Sequence, residues 1–234
     1  MKKVKKWLWN IAFVISLSLC GLVFIQVFLL ATFKIPSGSM EPTLQAGDHI
    51  AVFKPLYGSR LFNVFVALKG KDTPIYRSPG LQKVHKNDVI VFNAPYYLSK
   101  TKLELNLFRY YVKRCQALPG DSAEVELDGK AQKIYIPREG DSIRINSKNQ
   151  AYYQKLIDWE SRIQKKEPTI SASGYYRFSH DYYFLVGDNG EKSFDSRHWG
   201  LLPDDFIVGK ACLIWKSQNI NTQTYQWDRC LRWI

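Results

Sequence analysis

The chain has 234 residues, 46% of them hydrophobic and 15% aromatic. That length and composition suit one sizeable folded domain plus an anchor and exclude a disordered chain. Lys+Arg 33 against Asp+Glu 21 gives a formal charge of +12, which suits an anionic membrane surface; no helix-turn-helix or RNP-type motif supports nucleic acid.

The first element is apolar. MKKVKK, with Lys2, Lys3, Lys5 and Lys6, precedes a run from Trp7 to Phe33 that holds no charged residue. As a helix this run reaches about 40 Å, longer than the ~30 Å hydrocarbon core, so some tilt or an interfacial end is expected. The basic residues place residues 1–6 in the cytoplasm and everything after residue 33 across the membrane. A cleaved signal peptide is disfavoured, because the apolar run is too long and no A-x-A pattern follows it. Residues 7–33 are therefore read as a single uncleaved span.

Next comes IPSGSMEPTL, Ile35 to Leu44. Pro36 and Pro42 stiffen it and push their preceding residues toward extended conformations. Gly38 permits a bend or a close approach. Ser39 thus lies on a stiff segment at the membrane surface. Read alone, such a segment is a linker.

Gly47-Asp48 then signals a turn before a strand-like HIAVF. LYGSRLFNVFVALKG reads either as a core strand or as a loop dipping into lipid headgroups through Tyr57, Phe62, Phe65, Arg60 and Lys69. KNDVIVFNAP is a turn and a short strand. LFRYYVKRCQALPGDS is strand-like and stops at Pro119-Gly120-Asp121. Residues 124–180 read as an insertion: a hairpin turning at Asp128-Gly129, then an amphipathic helix. That helix has Tyr153, Leu156, Ile157 and Ile163 on one side, Ser147 as N-cap and Pro168 as its stop. YYRFSHDYYFLVGDN is again strand-like. A turn-rich loop from Gly187 to Gly200 leads to a strand over Ile207 to Trp215, and the tail to Ile234 has no assignable element. The pattern predicts a mainly β, barrel-like catalytic domain over 34–123 and 181–234, with a small α+β insertion and one N-terminal transmembrane helix.

Four cysteines, Cys20, Cys115, Cys212 and Cys230, include no CxxC, so zinc and dithiol redox sites are not expected. A Cys115–Cys212 disulfide is possible only in an oxidising compartment, and spacing does not fix it. His49, His85, His180 and His198 form no metal-binding spacing, and there is no G-x-S-x-G and no phosphate loop. No metal or cofactor is expected. A serine nucleophile needs a base, and nothing selects one of the histidines. A lysine neutral near pH 7 can serve instead, because apolar burial lowers its pKa. Lys113, among Tyr110, Tyr111, Val112 and Cys115, is the lysine best placed for this. The plainer alternative makes Lys113 and Arg114 the basic pair of a solvated edge strand.

Four blocks resemble the bacterial type I signal peptidases, membrane-anchored Ser/Lys-dyad endopeptidases of family S26. They are IPSGSMEPTL with GDHIAV, NDVIVFNAP, YYVKRCQALPGD, and GDNGEKSFDSRHWGLLPDDFIVGKA. They stand in the family's order behind a membrane helix and cover about a quarter of the chain, and four in order outweigh the low specificity of any one motif. The resemblance implies that Ser39 is the nucleophile and Lys113 the general base. Ser37 with the Ser39 N–H would form the oxyanion hole, and Ser193 would orient the lysine amine. Asp195 and Arg197 would be a structural pair near the site. Phe33, Ile35, Pro36, Met40, Leu44, Tyr111 and Val112 would line the substrate pockets. The implied partners are preprotein signal peptides with small residues at −1 and −3, and anionic lipids. The implied location is the cytoplasmic membrane, with the catalytic domain on its outer face.

The chain departs from the family at Gly190, Glu191 and Lys192, where Arg, Asp and Asn are usual, and Cys115 stands where a small residue is usual. Lys192 puts a positive charge beside Ser193 that lowers the Lys113 pKa further or loosens the loop. Two alternatives follow: a peptidase of the same superfamily dedicated to one export or conjugation system, and a non-catalytic membrane-bound binding protein.

Overall fold

The computed structural model describes residues 2–69, 72–95, 102–127 and 130–234. Helix α1 (Lys2–Phe24) continues as a π-helical turn over Ile25–Leu29. Together they give one helix, Lys3–Leu29, long and apolar enough to cross a membrane. The apolar run does not stay helical to Phe33. Strand β1 (Leu30–Lys34) takes its last residues, because β2 (Asp48–Phe53) offers a ladder that satisfies their backbone.

The segment after β2 is neither a core strand nor one long loop. It holds the two-residue strand β3 (Arg60–Leu61), the short helix α2 (Val64–Leu68) and β4 (Tyr76–Arg77), which pairs with β3. Tyr57 is buried against Asp88, whereas Phe65 stands 78% exposed. Central strand β5 (Val89–Ala94) is buried along its whole length, as its run of β-branched and aromatic residues requires. It pairs with the twelve-residue β6 (Asn106–Ala117).

Among the described residues, hairpin strands β7 (Ser122–Leu127) and β8 (Lys130–Tyr135) pair only with each other. The expected turn at Asp128-Gly129 lies outside the described residues. After β9 (Ser142–Arg144) comes α3 (Gln150–Gln164). Its N-cap position is Asn149, not Ser147, because the preceding turn closes on the Asn146 carbonyl and side chain. Lys165 ends it in a left-handed conformation, before Pro168 is reached. Tyr153, Leu156, Ile157 and also Trp159 form its buried side, and Ile163 is half-buried. Strand β10 (Tyr175–Arg177) pairs with β9.

The chain then returns to the main sheet with β11 (Tyr182–Val186), the four-residue helix α4 (Ser196–Trp199), β12 (Leu202–Pro203), β13 (Ile207–Ser217) and β14 (Arg232–Trp233). The sheet runs β1-β2-β13-β5-β6-β11-β12, with β14 beside β13, and every pairing is antiparallel. The protein is mainly β, as its short strands and Gly/Pro turns predict.

Two apolar clusters flank the sheet. The larger joins Ile90, Phe92, Cys115 and Leu185 to Ile134, Ile157 and Trp159 of the 122–178 region. The smaller holds Ile35, Met40, Leu44, Ile50, Val91 and Ile214. The second cluster places the site, because it roots both ends of the Pro36–Gly47 loop. Gly47 closes that loop with φ +101°, and a side chain there would run into the Gln218 carbonyl. All four cysteines are free thiols, so the Cys115–Cys212 disulfide is not formed.

Candidate active site

The loop carrying Ser39 is pinned at its base. Ile35 N donates to Asp48 O at 2.8 Å, and Gly47 N donates to Ile35 O at 2.9 Å. Glu41–Pro42 is a cis peptide. Met40 and Leu44 are 1% and 0% exposed and anchor the loop in the smaller cluster, while Ser39 remains half-exposed above them.

Strand β6 brings up Lys113. Lys113 pairs across the ladder with Ile90 and is 4% exposed, so it is not on a solvated edge. Its Nζ donates to Ser39 Oγ at 2.7 Å. Burial pushes this amine down to about 8; Asp195 pulls it up, Arg197 pushes it down and Asp188 pulls it up. Lys192, beside Ser193 in sequence, is exposed. No histidine lines the cleft around Ser39 and Lys113.

Behind Lys113, the loop from Gly187 to Arg197 packs onto Ser39. Asn189 N donates to Ser39 O at 3.2 Å. Gly187 lies so close that a Cβ there would overlap Ser193 Oγ and Ser39 O. Asp195 is fully buried and receives Arg197 Nε and Nη2, both at 2.8 Å, together with Gly187 N at 3.0 Å. Burial pushes the Asp195 carboxyl up, but the Arg197 guanidinium and the Gly187 N–H outweigh it and hold it below the usual range. The expected Asp195–Arg197 pair is thus formed, and it fixes the loop.

The expected bond between Ser193 and the lysine amine is not formed. Ser193 is 5% exposed, and its Oγ has no hydrogen-bond partner of good geometry among the described residues. It still lies near enough to Asp195 to help lower that carboxyl. An unpaired buried hydroxyl is costly, which suits a group that waits for a partner.

Ser37 is exposed, and among the described residues neither its hydroxyl nor the Ser39 N–H is engaged. Both donors are therefore free to meet an incoming oxygen. Phe33, Ile35, Pro36, Met40, Tyr111 and Val112 line one cleft with Ser37, Ser39 and Lys113. Leu44 does not; it is fully buried behind the wall, because its side chain completes the smaller cluster. Tyr110 joins the wall and packs on Phe33 with ring centroids 4.7 Å apart.

Two ion pairs were not foreseen. Arg114 clamps Asp188 through Nε and Nη2, both at 2.7 Å, and reaches Thr43 Oγ1 at 3.0 Å. Arg229, from the unassigned tail, binds buried Asp48 at 3.1 and 2.6 Å and reaches Thr43 O at 3.1 Å. Two arginines thus hold Thr43, four residues past Ser39, one from mid-chain β6 and one from the C-terminal tail. Asp48 and Asp188 sit inside the resembling blocks and could have been marked by that; Arg229 has no local signal.

One group among the described residues has metal-like spacing: His180, Asp204 and Asp205. His180 lies between Glu160 and Asp205, at 3.3 and 3.6 Å. Burial pushes the His180 imidazole down, but Asp205 and Glu160 outweigh it and raise it to about 10.

The profile of "Signal peptidase, peptidase S26" matches residues 4–216. The chain belongs to the S26 signal peptidase family. It is 32% identical to the signal peptidase I of Pseudomonas aeruginosa, with 82% of this chain and 67% of the relative covered. It is 28% identical to the signal peptidase I of Haemophilus influenzae, over 89% of this chain and 69% of the relative. The thylakoidal processing peptidase 1 of Arabidopsis thaliana is 29% identical, over 82% of this chain and 44% of its own length. As an S26 peptidase the chain is a hydrolase, and its N-terminal helix makes it membrane-anchored.

Proposed function

We propose that this S26 peptidase removes N-terminal signal peptides from preproteins, with Ser39 as nucleophile and Lys113 as general base. The observation that carries the reading is the 2.7 Å contact between Lys113 Nζ and Ser39 Oγ, made by a buried amine held near 8. At pH 7 about a tenth of such amines are neutral. In the neutral form the contact reverses, and the Ser39 hydroxyl donates to the nitrogen.

The chemistry follows from the geometry. Ser39 Oγ bonds to the scissile carbonyl carbon while its proton passes to Lys113 Nζ. The carbonyl oxygen becomes an oxyanion, which the Ser39 N–H and the Ser37 hydroxyl stabilise. The C–N bond then breaks, and the leaving amine takes the proton from Lys113. Water attacks the acyl-serine ester, again with Lys113 as base, and Ser39 is freed. No aspartate is needed behind a lysine, but an acceptor is needed to orient it; buried Ser193, whose hydroxyl is unpaired here, would turn to the amine to supply it.

The substrate is a strand in this reading. Among the described residues β1 pairs only with β2, and β6 has no partner beside Tyr110–Val112 other than β5. Both free edges border the cleft, so an extended peptide can add between them. Shallow apolar walls suit small residues at −1 and −3. Residues 34–123 and 181–234 carry the catalysis; the described residues of 124–180 contribute no group to the cleft.

The lysines at the N-terminus favour an inside N-terminus and a catalytic domain on the outer face of the cytoplasmic membrane. Exposed Phe65, Trp227 and Trp233, with the +12 charge, support contact with anionic lipid.

The test is to incubate the purified full chain with preproteins and sequence the products. Cleavage immediately after an A-x-A site in several unrelated preproteins is expected. Cleavage of only one would favour a dedicated peptidase, and intact preproteins would overturn the reading.

A further inference from the structure

The end of the membrane helix poses a hydrogen-bonding problem. The chain passes from helix to strand at Leu29–Leu30, so the carbonyls of the last turn lose their helical donors. Near hydrocarbon, unanswered carbonyls are especially costly. The Leu30 N–H serves Ile25 O. The next three carbonyls are answered from one loop. Lys54 Nζ donates to Gln26 O at 2.7 Å and to Val27 O at 3.1 Å, and Ser59 Oγ donates to Phe28 O at 2.6 Å. A cation at this end of a helix also meets the negative end of its dipole.

The loop that supplies these donors is built into the sheet. Phe53, just before Lys54, pairs with Leu30 on one side and Lys210 on the other. Ser59 is buried, its N–H donates to Ser78 Oγ at 2.9 Å, and its carbonyl accepts from Ser78 N. Helix end and sheet are thereby joined by side-chain bonds as well as by the chain. Only ten positions separate Leu29 from Ser39, so any swing of the helix on the sheet changes the height and tilt of the dyad above the bilayer. Neither Lys54 nor Ser59 lines the cleft.

We propose that Lys54 and Ser59 are positioning residues that lock the membrane helix to the catalytic sheet. They hold the dyad at the level where the bond of a membrane-embedded substrate emerges. The inference rests on the signal-peptide reading above, and it concerns delivery of the substrate, not the bond-breaking steps.

The test compares two substrates of the full-length chain carrying Lys54→Met with Ser59→Ala. One is a soluble peptide with Ala at −1 and −3, assayed in detergent. The other is a preprotein reconstituted with the enzyme in phosphatidylethanolamine–phosphatidylglycerol vesicles. Peptide kcat/KM is expected to stay within about twofold of the parent, and vesicle cleavage to fall about tenfold or more, since displacement by an ångström costs that much or more. Lys54→Arg, which keeps charge and donors, should restore most of the vesicle rate. Equal losses on both substrates would make the two residues merely structural, and an unchanged vesicle rate would leave the helix uncoupled; either result overturns the proposal. A parent chain that fails to cut the peptide at all would instead strike the signal-peptide reading.

Discussion

Ser39→Ala and Lys113→Ala are each expected to lower kcat by about a thousandfold or more, and the double variant by no more than the worse single one. The two groups act as one unit, so their effects do not add. Without Ser39 Oγ there is no atom to carry the acyl group. Without Lys113 Nζ the hydroxyl keeps its proton, because no histidine lines the cleft to replace the amine. Lys113→Arg should not rescue, since a guanidinium stays charged at every working pH. Circular dichroism and thermal melting check that each variant is folded. Neither substitution removes an apolar side chain from the two clusters. Lys113→Met should even melt higher than the parent at neutral pH. Burial that lowers a lysine pKa destabilises the fold below that lowered pKa, and the penalty fades only as pH rises from about 8 toward 10.5.

Arg229→Met should be the most damaging change far from the cleft, at about 3–5 kcal/mol of stability. Arg229 is 6% exposed and Asp48 is 0% exposed, so the variant leaves a carboxylate buried without its cation. In the parent, burial pushes the Asp48 carboxyl up, but hydrogen bonds from Arg229 and the Gln45 N–H outweigh it and keep it below the usual range. The stability this gives is present above the ordinary carboxylate pKa and is lost as pH falls through the depressed one. Asp48→Asn in the Arg229→Met background should recover much of the loss, because the buried charge goes too. Activity should fall along with stability, since Thr43 O loses the Arg229 contact that steadies the loop carrying Ser39. Urea melts of the two single variants and the double variant measure the coupling directly. Additive losses would mean that the pair is not acting as a pair.

How far the sequence carried these conclusions differs from element to element. The helix was legible because 27 uncharged residues admit little else; its end was not, because Leu30–Phe33 are as apolar as the helix, and only the ladder with β2 makes them a strand. The β character was legible from alternation and Gly/Pro turns. The 56–70 stretch was not, because exposed Phe65 and buried Tyr57 belong to the same aromatic composition. At the proposed site, Ser39, Lys113, Asp195 and Arg197 were singled out through the resembling blocks, and the structure brings Lys113 Nζ, buried, to Ser39 Oγ. Strand alternation alone left Lys113 ambiguous, since Val112 beside it is apolar too. Leu44 was misplaced because core and pocket wall draw on the same residue type. Arg229 was out of reach, as its partner lies 181 positions away and no periodicity records a long-range ion pair.

The ionisation of Lys113 is the centre of the account, and the pH dependence of kcat/KM on a neutral peptide reads it in the free enzyme. From pH 5 upward the rate constant should climb about tenfold per unit and level off above roughly 8, where the buried amine has lost its proton. A flat profile down to pH 5, or a plateau already reached near the ordinary histidine value, would contradict a lysine base.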